Sequence, residues 1–98
     1  MNSRPPDRLD GAQVLFYTVI DDRHTFSGRC RHVVNGKTLG PMVGLAICQY
    51  DKDATFYLFG CNLEWAPLTD TEHETLAGAV EQAEFEYQGS KLTWITLS

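Results

Sequence analysis

The hydrophobic and polar side chains of residues 69–89 follow the period of an α-helix. At about 100° per residue, one narrow stripe collects the apolar side chains Leu76, Val80, Ala83 and Tyr87. Thr69, Asp70 and Thr71 can each cap the first turn. Gly89 stands where a left-handed residue would end the helix. The pattern predicts a helix of about five turns that begins near residue 70 and packs this stripe on a core.

Four other segments have the β-branched and aromatic composition that is typical of strands. They are residues 12–20, 42–50, 55–61 and 92–97. A short, exposed hairpin is also predicted where Val33 and Val34 precede Asn35-Gly36, the dipeptide that favours a tight two-residue turn. The alternation of residues 92–97 predicts a final strand after the helix.

The second and third of these segments predict a hairpin at the centre of the sheet. If its turn lies between Lys52 and Asp53, facing residues have numbers that sum to 105. One side of the hairpin then carries Leu45, Ile47, Phe56 and Leu58, and the other carries Ala46, Cys48, Tyr57 and Phe59. One helix covers only one side, so the second side needs the first strand, the N-terminal arm or a second subunit.

These elements predict an α+β domain. We expect an antiparallel or mixed sheet of four to six strands, one helix in the C-terminal half packed on one face, and a final strand after the helix. Residues 1–10 are polar, contain two consecutive prolines and are predicted to be a flexible N-terminal arm, with residues 11–98 forming a single domain. In the connection before the helix, Trp65 and Leu68 are expected to pack back as a plug.

Charge is distributed unevenly along the chain, whose net charge is −5. Residues 1–50 hold six basic and four acidic side chains, whereas residues 51–98 hold two basic and nine acidic ones. This acidic half disfavours nucleic acid as a partner, because a phosphate backbone attracts basic surfaces. No apolar run of signal-peptide or membrane-spanning length occurs, and three cysteines cannot all pair, so we expect a cytoplasmic protein that does not enter a membrane.

The residues that could carry chemistry are few. Cys30 and His32 lie two positions apart, and His73 could join them in a metal site or an enzyme active site. However, the chain has no CxxC, HxxxH or HExxH spacing and no phosphate-binding or nucleophile-elbow motif. We therefore predict no cofactor, no metal and no catalytic residue, and we keep the Cys30, His32 and His73 set as the alternative.

One aromatic side chain on the predicted helix has no role in its apolar stripe. Phe85 lies roughly opposite Leu76 on the helical wheel, between the acidic side chains Glu74 and Glu81, with Gln88 at the edge. Either a loop or the arm shields Phe85, or another chain docks there. We predict a protein-binding or self-associating module that uses Glu74, Glu81, Phe85 and Gln88, or the second sheet face, as its contact surface. An immunity or antitoxin-like protein that blocks a basic toxin is one form of it.

The C-terminal half also resembles a known group of sequences. The run from about residue 43 to residue 95 contains TDTEHET at residues 69–75, QAEFEY at residues 82–87, then Gly89 and Trp94. In this it resembles a group of small bacterial proteins with a TDTxHET, QAEFEYxG and Trp-containing C-terminal end. The resemblance implies a standalone bacterial cytoplasmic domain and carries over no catalytic residue.

Overall fold

The computed structural model describes residues 4–28, 33–34, 36–38 and 40–97. In chain order the strands are β1 (Arg8–Leu9), β2 (Ala12–Val19), β3 (Thr25–Phe26), β4 (Val33–Val34), β5 (Lys37–Thr38), β6 (Gly44–Gln49), β7 (Phe56–Cys61), β8 (Pro67–His73), β9 (Tyr87–Gln88) and β10 (Ile95–Thr96). The helix α1 spans Leu76–Glu86, and a 3-10 helix follows at Ser90–Leu92. The predicted α+β fold class is confirmed.

The main sheet is antiparallel and has six strands. Five of them lie in the order β1-β2-β6-β7-β8, and β10 also pairs with β2. β1 and β10 share the outer edge of β2, because Arg8 pairs with Gln13 whereas Ile95 pairs with Tyr17. Two small sheets, β3 with β9 and β4 with β5, stand outside it. The long strand β2 is therefore interior, as its two apolar faces predicted.

The central hairpin has the predicted register. Gly44 pairs with Cys61 and Cys48 pairs with Tyr57, so every facing pair between β6 and β7 has numbers that sum to 105. The hairpin β4–β5 is confirmed as well, since Val33 pairs with Thr38 and Val34 pairs with Lys37. Successive side chains of a strand point to opposite faces, so this register separates the two cores on either side of the sheet.

The first core lies between the sheet and α1. Its buried side chains are Met42, Leu45, Ile47, Leu58, Ala79, Ala83 and Tyr87. The predicted helix stripe packs here, with Ala83 and Tyr87 buried and with Leu76 and Val80 half-buried against it. The Tyr87 hydroxyl accepts a hydrogen bond of 2.6 Å from the backbone N–H of Met42, which joins the end of the helix to the start of the central hairpin.

The second core covers the opposite face of the sheet. Its buried side chains are Leu9, Ala12, Val14, Tyr17, Ala46, Cys48, Phe59, Cys61 and Trp65. This face is covered from within the chain, by β2, by Leu9 of the predicted arm and by Trp65, with the half-buried Leu97 at its margin. Trp65 is 2% exposed and forms the predicted plug. Leu68 does not, because it lies at the irregularity between the Gly60 and Cys61 pairs and is 44% exposed.

The predicted start of the helix is wrong. Residues 67–73, which carry the proposed caps Thr69, Asp70 and Thr71, form β8 instead, and the helix begins only after Thr75. The Thr75 hydroxyl accepts a hydrogen bond of 3.0 Å from the Gly78 N–H and caps the first turn. Pairing with β7 runs along residues 67–73 and satisfies alternate backbone groups of this segment, and this tertiary pairing outweighs the local capping preference. The helix therefore has eleven residues, which is about three turns, rather than the predicted five turns.

The predicted end of the helix and the final strand also differ from the structure. α1 ends at Glu86, and Gly89 adopts the left-handed conformation (φ +99°) after β9 rather than at the helix terminus. The final strand is confirmed, but it contains only Ile95–Thr96. Leu92 belongs to the 3-10 helix and is 88% exposed.

The described part of the predicted arm joins the sheet. Arg8–Leu9 forms β1, Leu9 is buried and the Val14 N–H donates to the Asp7 carbonyl at 2.9 Å. Sequence reasoning missed this strand because two residues flanked by polar neighbours show no periodicity. Leu9 therefore helps to cover the second core.

Candidate functional site

The four predicted contact residues lie around α1. Glu81 and Phe85 are one helical turn apart on the same side of α1, and Phe85 is 42% exposed. Glu74 precedes the Thr75 cap, and Gln88 lies in β9. Glu74, Glu81 and Gln88 are all exposed. The structure therefore places two of the residues on the helix and one beyond each of its ends, and all four reach solvent.

Two other glutamates of α1 have structural roles. The Glu84 carboxylate accepts hydrogen bonds of 3.0 Å from the backbone N–H groups of Gly89 and Lys91. These bonds, with that of Gly89 the strongest, lower the pKa of the Glu84 carboxyl. The Glu86 carboxylate is buried and accepts a hydrogen bond of 2.9 Å from the Gln82 side chain. The acidic composition of the helix thus does not translate directly into an acidic contact surface.

The alternative metal or enzyme site is only partly described. Cys30 and His32 lie outside the described residues. His73 is half-buried in β8, and its Nε2 shares a hydrogen bond of 2.8 Å with the Thr71 hydroxyl. Burial lowers the pKa of the His73 imidazole. Within the described parts of the chain, no three His, Cys, Asp or Glu side chains are grouped to hold a metal ion.

Both described cysteines are free and buried in the second core. Burial raises the pKa of the Cys48 thiol to about 12, and the nearby Cys61 adds to the effect. Burial likewise raises the pKa of the Cys61 thiol to about 12. A thiol is nucleophilic only as the thiolate, so both side chains act as small hydrophobic groups in this core.

Sequence reasoning missed a polar network that connects the side chains of Thr18, His24 and Thr93. The His24 imidazole is buried, its Nε2 lies 2.8 Å from the Thr93 hydroxyl, and that hydroxyl lies 2.7 Å from the hydroxyl of Thr18. The backbone N–H of Asp21 donates to His24 Nδ1 at 3.1 Å. This bond corresponds to the tautomer with its proton on Nε2, in which Nε2 donates to the Thr93 hydroxyl.

This direction of hydrogen bonding bears on catalysis. A histidine that activates a hydroxyl must accept the hydroxyl proton, whereas in this tautomer His24 donates to the Thr93 hydroxyl. The carboxylate of Asp21, the third group such a triad would need, lies 3.4 Å from His24 Nδ1, but its shorter contact, at 3.0 Å, is with the Arg23 side chain. The network therefore ties the turn after β2 to the segment before β10, and it does not resemble an activated nucleophile.

The outer edge of β8 is the second accessible feature of the acidic half. β8 has seven residues and pairs with β7 on one side, and no other strand in the described residues pairs with its other side. Its side chains alternate, with Leu68, Asp70 and Glu72 exposed. The sequence signal for this strand was the alternation of its side chains with a period of two residues. We missed it because the threonine and aspartate side chains of the same segment also favour a helix start.

An open groove lies where β8 begins. It has a volume of about 360 Å³ and is lined by Pro41, Met42, Val43, Cys61, Asn62, Leu63, Glu64 and Leu68. Leu63 and Leu68 are exposed at its rim, at 59% and 44%. The groove and the free edge of β8 are therefore continuous through Leu68.

Comparisons with protein-family models, with curated proteins and with solved structures find no match for this chain. The resemblance of residues 43–95 to a group of small bacterial proteins therefore stays a prediction.

Within residues 4–28, 33–34, 36–38 and 40–97, no helix combines the length and the apolar character needed to cross a membrane.

Proposed function

We propose that this protein is a non-enzymatic, protein-binding module whose contact surface lies on its acidic C-terminal half. Self-association into a homodimer is one form of this function, and neutralisation of a basic toxin by an immunity or antitoxin-like protein is another. We place the protein in the bacterial cytoplasm. The contact surface includes Glu81 and Phe85 on α1, with Glu74 and Gln88 beyond its two ends.

The observation that carries this proposal is the position of Phe85. It is an aromatic side chain with 42% exposure on a helix whose other large apolar side chains, Leu76 and Val80, pack against the first core. Exposed aromatic side chains next to charged ones are typical of contact surfaces, because a partner can bury the ring while the rim stays polar. Glu81, one turn away, would favour a basic partner.

The described cysteines and histidines support a non-enzymatic function. Burial raises the pKa of the Cys48 and Cys61 thiols to about 12, and the Asp21 N–H donates to His24 Nδ1, which favours His24 Nε2 as the donor to Thr93. These groups are not activated for nucleophilic or general-base chemistry. The alternative enzyme or metal protein rests on Cys30, His32 and His73. Metal analysis of the protein purified without a histidine tag tests it, and one bound zinc, iron or nickel ion per chain would favour it.

The proposed function is tested with a matched pair of variants. Phe85→Asp and Leu92→Asp each place a carboxylate at an exposed apolar position, but only the first lies on the helix face. Each protein, full length and folded by circular dichroism, is examined by size exclusion with light scattering. Each is also used for affinity capture from its own host. Any captured protein is then purified and its dissociation constant is measured directly.

We expect a specific complex, either a dimer or one purified partner, that forms with the wild-type protein and with Leu92→Asp. Phe85→Asp should weaken it by about tenfold or more, because a charge replaces a ring at the centre of the contact. A wild-type protein that stays monomeric and captures nothing that binds after purification would refute the proposed function.

A further inference from the structure

The edge strand β8 has backbone groups that are available to a partner. In an antiparallel ladder, alternate residues direct their N–H and C=O groups toward the neighbouring strand, and the residues between them direct theirs away. β7 takes one set of these groups in β8, from the pair of Phe56 with His73 to the pair of Gly60 with Thr69. Among the described residues no strand takes the other set. Such an edge is a template for one further strand.

Proline and bulges, which often protect edge strands from pairing, are absent from most of this edge. Charged side chains, above all lysine, are the other common protection, and carboxylates oppose acidic segments but not basic ones. Here Pro67 and the irregularity near Cys61 both lie at the beginning of β8. The rest of the strand, TDTEH, has no lysine or arginine and carries the exposed carboxylates of Asp70 and Glu72.

The groove supplies an apolar pocket in line with this edge. Leu68 belongs to β8 and lines the groove together with Leu63 and Met42. A segment that pairs with β8 and continues past its first residues can place one apolar side chain against the exposed Leu68 at the rim of the groove. Backbone bonds give such a complex affinity, and the side-chain pocket gives it selectivity.

The negative charge of this edge determines which kind of segment can pair with β8. A second copy of β8 paired antiparallel about Asp70 would place Asp70 opposite Asp70, and like charges directly opposite one another destabilise a strand pair. An acidic or neutral segment gains nothing from the carboxylates of Asp70 and Glu72. A segment with lysine or arginine at alternate positions places its cations beside them.

We propose that the outer edge of β8 binds an extended basic segment of another protein by strand addition, with an apolar side chain of that segment in the groove next to Leu68. This inference rests on the proposed protein-binding function and assigns it a second surface and a class of partner. The segment is recognised by its unpaired backbone, by cationic side chains at every second position and by a terminal apolar residue.

The probe is a fluorescent synthetic heptapeptide of alternating lysine and threonine with leucine at both ends, titrated with the full-length protein by anisotropy. Two control peptides have the same length. One carries glutamate in place of lysine, and the other is N-methylated at alternate amides so that it cannot complete the backbone ladder. We expect only the first peptide to bind, and we expect binding to weaken with salt, because the Debye length falls from about 10 Å at 0.1 M to about 3 Å at 1 M.

Two double variants test the position of the site. Asp70→Asn with Glu72→Gln changes the edge, and Glu74→Gln with Glu81→Gln removes the same two charges from the region around α1. We expect the edge variant to bind the lysine peptide about tenfold more weakly and the control to change by less than about twofold, because only the edge charges lie beside the peptide.

The outcomes separate this inference from the proposed function. If the N-methylated peptide binds as well as the lysine peptide, or if only the α1 variant loses binding, strand addition at β8 is wrong. Absence of binding by the lysine peptide has the same consequence. In each of these cases a complex that depends on Phe85 would still uphold the proposed function. Binding that is lost with N-methylation and with the edge variant supports the inference.

Discussion

The two faces of the main sheet are covered in different ways. On one face a single regular element, α1, supplies Ala79 and Ala83, and Tyr87 follows directly after it. On the other face Leu9 and Trp65 come from opposite sides of the central hairpin in the sequence. Both faces are closed around buried side chains. Only the first face is closed by a repeating pattern.

This difference shows why the apolar residues in the sequence, taken alone, overstate the apolar surface that the folded chain exposes. The second face carries Ala46, Cys48 and Phe59, and the sequence offered the first strand, the arm or a second subunit as its cover. The structure covers it with β2, with the strand in the predicted arm and with Trp65. The case for a partner therefore depends on the surface around Phe85 and on the edge of β8, and not on this face.

The largest effect is expected at the irregular face. Trp65→Ala should lower the free energy of unfolding by about 3 to 5 kcal/mol, because it empties the space beside Tyr17 and Gly44. Leu76→Ala, at a half-buried position on the helix side, should cost less. Urea denaturation of the two variants measures both. A Trp65→Ala protein as stable as Leu76→Ala would mean that Trp65 is not the main cover of this face.

The helix side depends on a close backbone contact after α1. A Cβ atom added to Gly89 would lie 2.6 Å from the Arg23 carbonyl oxygen, and the residue has φ +99°. Gly89→Ala should therefore lower the free energy of unfolding by about 1 to 3 kcal/mol. Gly40→Ala, where no atom lies within 4 Å, is the matched control. Equal urea midpoints for the two variants would contradict this account.

The closure of the irregular face can also be measured through its thiols. The folded state holds the Cys48 and Cys61 protons up to a pKa of about 12, whereas their ordinary pKa is 9.0. The unfolded chain therefore loses protons first, and the free energy of unfolding should fall as pH rises from 9 toward 12. In a Cys30→Ser background, a thiol reagent at pH 8 should label neither cysteine until urea unfolds the protein. Rapid labelling of the folded protein would show that this face opens.

A smaller pH effect is expected on the helix side. Burial lowers the pKa of His73 below its ordinary 6.5, so the folded state favours the neutral imidazole. As pH falls below 6.5 the unfolded chain binds the proton first, and the free energy of unfolding decreases until the folded pKa is passed. His73→Gln should flatten the dependence of the urea midpoint between pH 7 and pH 5. If the urea midpoints of the wild-type and His73→Gln proteins changed equally with pH, the His73 imidazole would not be buried in the folded state.

The smallest effect is expected outside both faces. Leu92→Ser should change the free energy of unfolding by less than about 0.5 kcal/mol, because Leu92 is 88% exposed in the 3-10 helix. Had Leu92 belonged to the final strand, as the alternation of residues 92–97 predicted, the same change would cost more than this. A thermal melt of the variant beside the wild-type protein distinguishes the two cases.

The sequence was informative where a pattern repeats and misleading where two patterns overlap. The register of β6 with β7 followed from the turn at Lys52 and Asp53, and the helix stripe followed from the spacing of its apolar residues. In residues 67–73, threonine and aspartate side chains could cap a helix or alternate along a strand, and only the presence of β7 beside them decides. The surface at Phe85 was predicted because Phe85 lies outside the apolar stripe of the helix. The edge of β8 was not predicted, because it exists only once that segment is a strand.

By itself, the sequence determined the fold class, the central hairpin with its register and the apolar stripe of α1. Each depends on neighbours along the chain or on a period of 2 or 3.6 residues, which the order of side chains contains directly. The tertiary structure decided that Thr75 begins the helix, that Leu9 and Trp65 close the second core and that Glu84 holds the turn at Gly89. The closure by Leu9 and Trp65 depends on how the whole sheet curls. The start at Thr75, rather than at the earlier caps, depends on the pairing of residues 67–73 with β7, and no local preference chooses between these starts.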